Sequence, residues 1–185
     1  MAAIRSWRQW RPLARLAGDR SGVSAVEFAL ILPILLALYL GGNELGHALT
    51  IDRKVTHVTS AVADLVTQAK TISNSEMTNI LDAAESIMTP YLTTDLKIKV
   101  SFVTIDADSV ATVVWSDARN DTAFAPGTEI QLPAGIKQPD TYLIVSEVHY
   151  NYVPIIGYVM TGNFDLSDTF YLRPRLSETI ARTAT

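Results

Sequence analysis

The sequence predicts an α+β protein: a long N-terminal transmembrane and stalk helix, then a small α+β head with a mainly antiparallel sheet. Three observations predict it. An uncharged apolar run fills residues 28–42. Apolar residues then recur at spacings of three and four, the period of a helix. Further on, stretches alternating apolar and polar residues are separated by turn signals, the pattern of strands with one wet face.

The 185 residues are 48% hydrophobic and 18% charged, with a mean hydropathy of +0.19. That length suits one domain with a core better than two. The charged fraction falls below the usual quarter, as expected when part of a chain lies in lipid. There is no cysteine. Disulfides, cysteine-ligated zinc, iron–sulfur clusters and a thiol nucleophile are therefore excluded, while the redox compartment stays open. The net charge of −4 is split. Residues 1–22 carry Arg5, Arg8, Arg11, Arg15 and Arg20 against Asp19, whereas the remainder is strongly acidic. An acidic body repels phosphates, so nucleic acid is a poor partner.

Extended back to Val23, the apolar stretch is long enough to cross about 30 Å of hydrocarbon as a helix. It lacks the polar stripe of a soluble helix. Arginines before it and none just after it predict a cytoplasmic N-terminus and an external head. Glu27 stands at the edge of the run. A central ionised group costs roughly 2.5–3.5 kcal/mol on insertion scales, and less near the end. A plain anchor gains nothing from that cost, so Glu27 needs a partner. If the chain is cut after Gly22, Val23 acquires an α-ammonium at the membrane surface. Glu27 of one copy can then pair with the ammonium of a neighbour, and in low dielectric an unpaired partner is heavily penalised.

Gly22, Glu27 and Phe28, with basic residues before and an apolar run after, resemble the processing site of type IV prepilins. The longer string Gly22-x-x-x-Val26-Glu27-Phe28-Ala29-Leu30-x-x-Pro33, then Gly42-x-Glu44-x-Gly46, more narrowly resembles the TadE-like minor pilins, or pseudopilins, of the tight-adherence (Tad/Flp) pilus. The distinctive part spans about residues 19–53. Tyr150-x-Tyr152-x-Pro154 and Arg173-Pro174-Arg175 are weaker echoes of that family's tail. The resemblance implies a pilin-like fold and cleavage between Gly22 and Val23 by a membrane prepilin peptidase, often with methylation of the new N-terminus. It implies a role in starting or capping the pilus, and so in surface adhesion. Implied partners are that peptidase, other Tad minor pilins, the major pilin and the inner-membrane assembly platform. The short chain favours the TadE or TadF type over TadG.

The expected organisation is a basic prepilin leader over 1–22, a transmembrane and stalk helix over 23–72, and a periplasmic head over 73–185. Leu45, Ala48, Val55, Val58, Val62, Leu65, Ala69 and Ile72 form the expected apolar stripe of the stalk. Asp52, Arg53, Thr56, Ser60, Asp64, Thr67 and Lys70 mark its wet face. Two helices broken at Gly41-Gly42 are the alternative, because glycine costs about 1 kcal/mol in a helix. Pro33 removes one helical hydrogen bond, which predicts a kink or local melting. Gly42-x-x-x-Gly46 permits either close helix approach or a flexible joint.

Residues 73–89 read as a second helix, opened by the capping box Ser73-Asn74-Ser75-Glu76 and stopped by Pro90. Met77, Ile80, Leu81, Ala84, Ile87 and Met88 are its apolar stripe. In the next strand, Leu96, Ile98, Val100 and Phe102 alternate with Lys97, Lys99, Ser101 and Val103, so one face is buried and the other mostly wet. A turn at residues 106–109 leads to a returning strand at 110–115. Residues 116–140 read as loop. Residues 141–153 are the strongest strand, and 167–173 form the last.

No enzymatic motif is present: GxSxG, HExxH, Walker A and GxGxxG are all missing. No catalytic residue, metal or cofactor is therefore expected. His47 and His57 lie ten residues apart on one helix, too far to share a metal. Glu147 and His149 share a strand face, but no third ligand is evident. Asp106 and Asp108 flank a turn without EF-hand spacing. Tyr142, Tyr150, Tyr152 and Tyr158 suit a strand core or a sheet edge. The competing function is that of an uncleaved single-pass periplasmic binding or sensor protein.

Overall fold

The computed structural model describes residues 21–157 and 161–183. Residues 1–20 of the leader expected over 1–22, and Tyr158, lie outside these. The order of elements is α1 (Ser21–Thr67), β1 (Thr71–Ile72), α2 (Asn74–Ile87), β2 (Leu96–Ile105), β3 (Ala111–Arg119), β4 (Glu129–Ile130), a 3-10 turn (Ala134–Ile136), β5 (Thr141–Tyr152), β6 (Phe164–Leu172) and β7 (Ala181–Arg182). The fold is α+β, a long apolar helix leading into a small head built on an antiparallel sheet.

α1 runs unbroken through Pro33 and through Gly41-Gly42. The two-helix alternative and local melting at Pro33 are thus not observed. A single lost hydrogen bond does not stop a helix that is already nucleated on both sides. α1 ends at Thr67, short of the expected residue 72. The backbone N–H of Arg175 donates to the free Thr67 carbonyl at 3.0 Å, and Ile72 leaves the helix to pair in β1. That stop is made by a segment about a hundred residues away, so no local glycine or proline marks it.

The buried stripe of α1 is Ala48, Ile51, Val55, Val58, Val62, Ala63 and Val66, with Thr59 and Thr67. Leu45 and Leu65, expected inside, are exposed, and Thr67, expected outside, is buried. Alanine, threonine and the β-branched residues let α1 lie close to the sheet, while the leucines one position over point away.

Five strands form one antiparallel sheet in the order β4-β3-β2-β5-β6. α1 packs against β5, β6 and α2. One core cluster joins the buried stripe of α1, Met77, Leu81, Ala84 and Met88 of the α2 region, and the α1-facing side of the sheet. Phe102 is at its centre, stacked on Trp115 at 5.8 Å and Tyr142 at 5.4 Å between ring centres. The Trp115 indole N–H donates to the Ile180 carbonyl at 2.8 Å.

The opposite face of the sheet is drier than the alternation suggests. Val103, Ile105, Ala111, Val113, Leu132, Leu143 and Val145 form a second cluster there, with Phe124, Ile130 and Ile136 packed on it. The register of β2 on β3 explains how one strand serves both sides. Phe102 faces Trp115 and the next residue, Val103, faces Val113, which leaves Val114 as a bulge. The bulge re-phases the strand, so Trp115 points to α1 and Val113 points away. The segment expected as loop over 116–140 is also more ordered. β3 extends to Arg119, β4 adds to its edge, and the remainder covers the second cluster.

α2 begins as its capping box predicts. Glu76 N–H donates to Ser73 Oγ at 3.2 Å, and Ser73 N–H donates back to Glu76 Oε2 at 2.8 Å. Its other end is capped from α1, where Lys54 Nζ donates to the carbonyls of Ile87 and Thr89 at 2.7 and 3.0 Å. The Ser73 backbone hydrogen bond, then its hydroxyl, hold the Glu76 carboxyl below its ordinary value of 4.5. Because the folded value is the lower one, the stabilisation is present above the unfolded value and lost as the pH falls through the folded one. NMR titration is expected to place Glu76 below 4.5 and to raise it only part of the way in Ser73→Ala, which loses the hydroxyl but keeps the backbone N–H. An unchanged titration in that variant would contradict the box.

Candidate assembly site

α1 has two halves with opposite surroundings. Residues 22–39 are exposed throughout, including Gly22, Val23, Val26, Glu27, Phe28 and Pro33. The helix contains an 18-residue window of mean hydropathy 2.3, none of it buried within the protein. Among the described residues it is the one helix long and apolar enough to cross a membrane. Glu27 lies one turn beyond Val23 on the same side of the helix. Among the described residues no hydrogen bond or ion pair reaches its carboxylate.

The halves meet at Gly42-x-Glu44-x-Gly46, and the three positions do different things. Gly42 and Gly46 lie on the side of α1 away from the sheet, and a Cβ at either would meet nothing within 4 Å. Neither glycine serves a close approach inside the chain. With exposed Leu45 and Leu49 they form an outward strip of small and apolar surface.

Glu44 points the other way and is 2% exposed. Its Oε1 accepts the N–H groups of Ile156 and Gly157 at 2.8 and 2.7 Å. The Tyr152 hydroxyl donates to the Glu44 backbone carbonyl at 3.3 Å. Burial, then the charge of Glu44, raises the Tyr152 phenol above its ordinary value, so it stays a donor. Oε2 of Glu44 is buried without a hydrogen-bond partner among the described residues. The motif therefore fastens the segment after β5 onto the helix at the end of the apolar run. Sequence reading named Glu44 but missed this use of it. The signal was available: Glu44 shares a helix face with Ala48, Ile51 and Val55, so it had to point inward.

Sheet residues considered for chemistry are occupied elsewhere. Glu147 pairs with Lys99 at 3.8 Å and His149 Nδ1 lies 2.9 Å from Asp165, so they do not form a joint site. Asp106 Oδ1 accepts the N–H groups of Asp108 and Val110 at 3.0 and 2.8 Å, which is a turn rather than a cation site. Among the described residues no three His, Asp or Glu side chains converge to hold a metal.

Residues 22–64 match the family model described as TadE-like protein. This N-terminal segment of the chain is TadE-like. The match covers the exposed half of α1, the Glu44 junction and most of the stalk, and it ends before the head. No curated protein and no solved structure matches the chain. TadE-like proteins are a structural, non-enzymatic family associated with the Tad pilus. The TadE-like motif residues thus fall into three groups: an exposed apolar start, an outward glycine pair and an inward carboxylate.

Glu44→Ala should orphan two backbone donors and cost about 1–3 kcal/mol. Glu44→Gln keeps one oxygen acceptor and should cost less. Amide hydrogen exchange at Ile156 and Gly157 in detergent micelles reads this directly. Undiminished protection in Glu44→Ala would mean that the carboxylate does not hold the segment.

Proposed function

We propose that this TadE-like protein is a minor pilin, or pseudopilin, of the Tad pilus. On this reading it is a single-pass inner-membrane protein with a cytoplasmic N-terminus and a periplasmic head. Prepilin peptidase cuts after Gly22, and the mature chain helps to start or cap the pilus and so supports surface adhesion. The observation that carries the reading is the bare half of α1, matched to the TadE-like model, with an apolar surface that its own head leaves uncovered. Such a surface requires lipid before assembly and neighbouring helices afterwards.

Glu27 supplies the selectivity. Its carboxylate, exposed one turn inside the helix, pairs with the new α-ammonium of an adjacent subunit and penalises a neighbour out of register. The partners are the peptidase, other Tad minor pilins, the major pilin and the inner-membrane assembly platform.

Gly22→Leu should leave the chain at full length and abolish pili. Intact mass measurement of the protein from its native membrane checks this, and a wild-type chain still carrying its arginine-rich start would favour an uncleaved sensor. Glu27→Ala should be inserted and cleaved normally yet assemble poorly. Pilus counts equal to wild type would remove the ammonium–carboxylate pairing.

A further inference from the structure

We propose that residues 153–157 form a foot that rests in the membrane interface, its apolar side chains among the lipid headgroups and upper acyl chains. The inference rests on reading the exposed half of α1 as membrane-spanning. Position is the first argument. Glu44 lies two residues past Gly42, the end of the apolar run, which is about 3 Å of helical rise. Helical side chains lean toward the N-terminus, here toward the membrane. The interfacial layer is about 5–7 Å deep on each side of the hydrocarbon. Hydrogen bonds from Ile156 and Gly157 to Glu44 therefore hold the segment at the depth of that layer.

Composition is the second argument. Val153, Ile155 and Ile156 are 55%, 83% and 41% exposed, and Leu92 is 70% exposed. Leu92, Val153 and Ile155 share one groove of about 340 Å³ with Pro90 and Tyr91. Single exposed apolar residues are ordinary, but several gathered on one lip beside a lipid-facing helix mark a contact surface. None of residues 153–157 is charged. His47 and Asp95 border the same groove, where headgroup water keeps them solvated.

The backbone is the third argument. A segment entering a poorly hydrated layer needs its N–H groups paired. Pro154 has none, those of Ile156 and Gly157 are paired to Glu44, and only those of Val153 and Ile155 are left to headgroup water. The buried carboxylate thus prepares this stretch of backbone for lipid contact.

The absence of cysteine allows single labels in the full chain. Ile155→Cys, Leu35→Cys and Asp108→Cys, the last in the turn at the far end of β2, would each carry an environment-sensitive fluorophore in phosphatidylcholine proteoliposomes. The label at Ile155→Cys should be quenched several-fold more by lipid spin-labelled near the headgroup than the label at Asp108→Cys. Equal access of aqueous iodide to both would overturn the foot. A label at Ile155→Cys shielded from iodide and from lipid alike would also overturn it, since a second copy of the chain would then cover the lip. Leu35→Cys should be quenched by lipid spin-labelled deep in the acyl chain. Quenching there without quenching at Ile155→Cys defeats the foot alone. No quenching at Leu35→Cys defeats the membrane span and the foot with it.

Discussion

The Glu44 carboxylate joins the two environments of this protein. One helix serves as the apolar segment and as the scaffold of the head, so what happens at its midpoint sets how the two are related. Ionic and polar groups are rarely buried without return. Here the return is geometric: Oε1 takes two backbone donors, and Tyr152 takes the adjacent carbonyl. A loop leaving a long strand is thereby fixed to a helix more than a hundred residues earlier.

The rest of the head follows from how α1 lies on the sheet. Its inward face is built from alanine, valine, isoleucine and threonine, which allow close packing over β5 and β6. Lys54 caps α2 from the same helix, and Arg119 of β3 reaches Asp82 and Glu85 of α2. Arg182 of β7 forms a two-pronged pair with Asp117 of β3 at 2.8 and 2.9 Å. These contacts tie both helices and the C-terminal segment to the sheet.

What the sequence made legible was local. Ser73 and Glu76 announce the start of α2, the alternation from Leu96 to Phe102 marks the central strand, and the charge-free run from Phe28 marks the exposed helix. The less legible parts depend on distant partners. The end of α1 is capped by Arg175, and β1 exists only because β7 pairs with it. The second core is invisible to a simple alternation, because the Val114 bulge changes the phase of β3 midway. Leu45 and Leu65 mislead for a related reason: a period of three and four admits two neighbouring stripes, and only the shape of the sheet selects the one with smaller residues. The motif glycines and Glu44 were recognisable as a string, but a string does not say which residues face in and which face out.

The pairing of β1 with β7 has a consequence for the order of events during synthesis. Arg182 meets Ile72 from 110 positions further along the chain, and Arg175 closes the helix that precedes them both. Ribosomes deliver the helix first and its lock last. Until then the Thr67 carbonyl at the end of the stalk is open to water and its neighbouring strand has no mate. The head can therefore be completed only after residues 175–182 have been made, and a chain lacking residues 173–183 would have every earlier element except β1, with the Thr67 carbonyl unsealed.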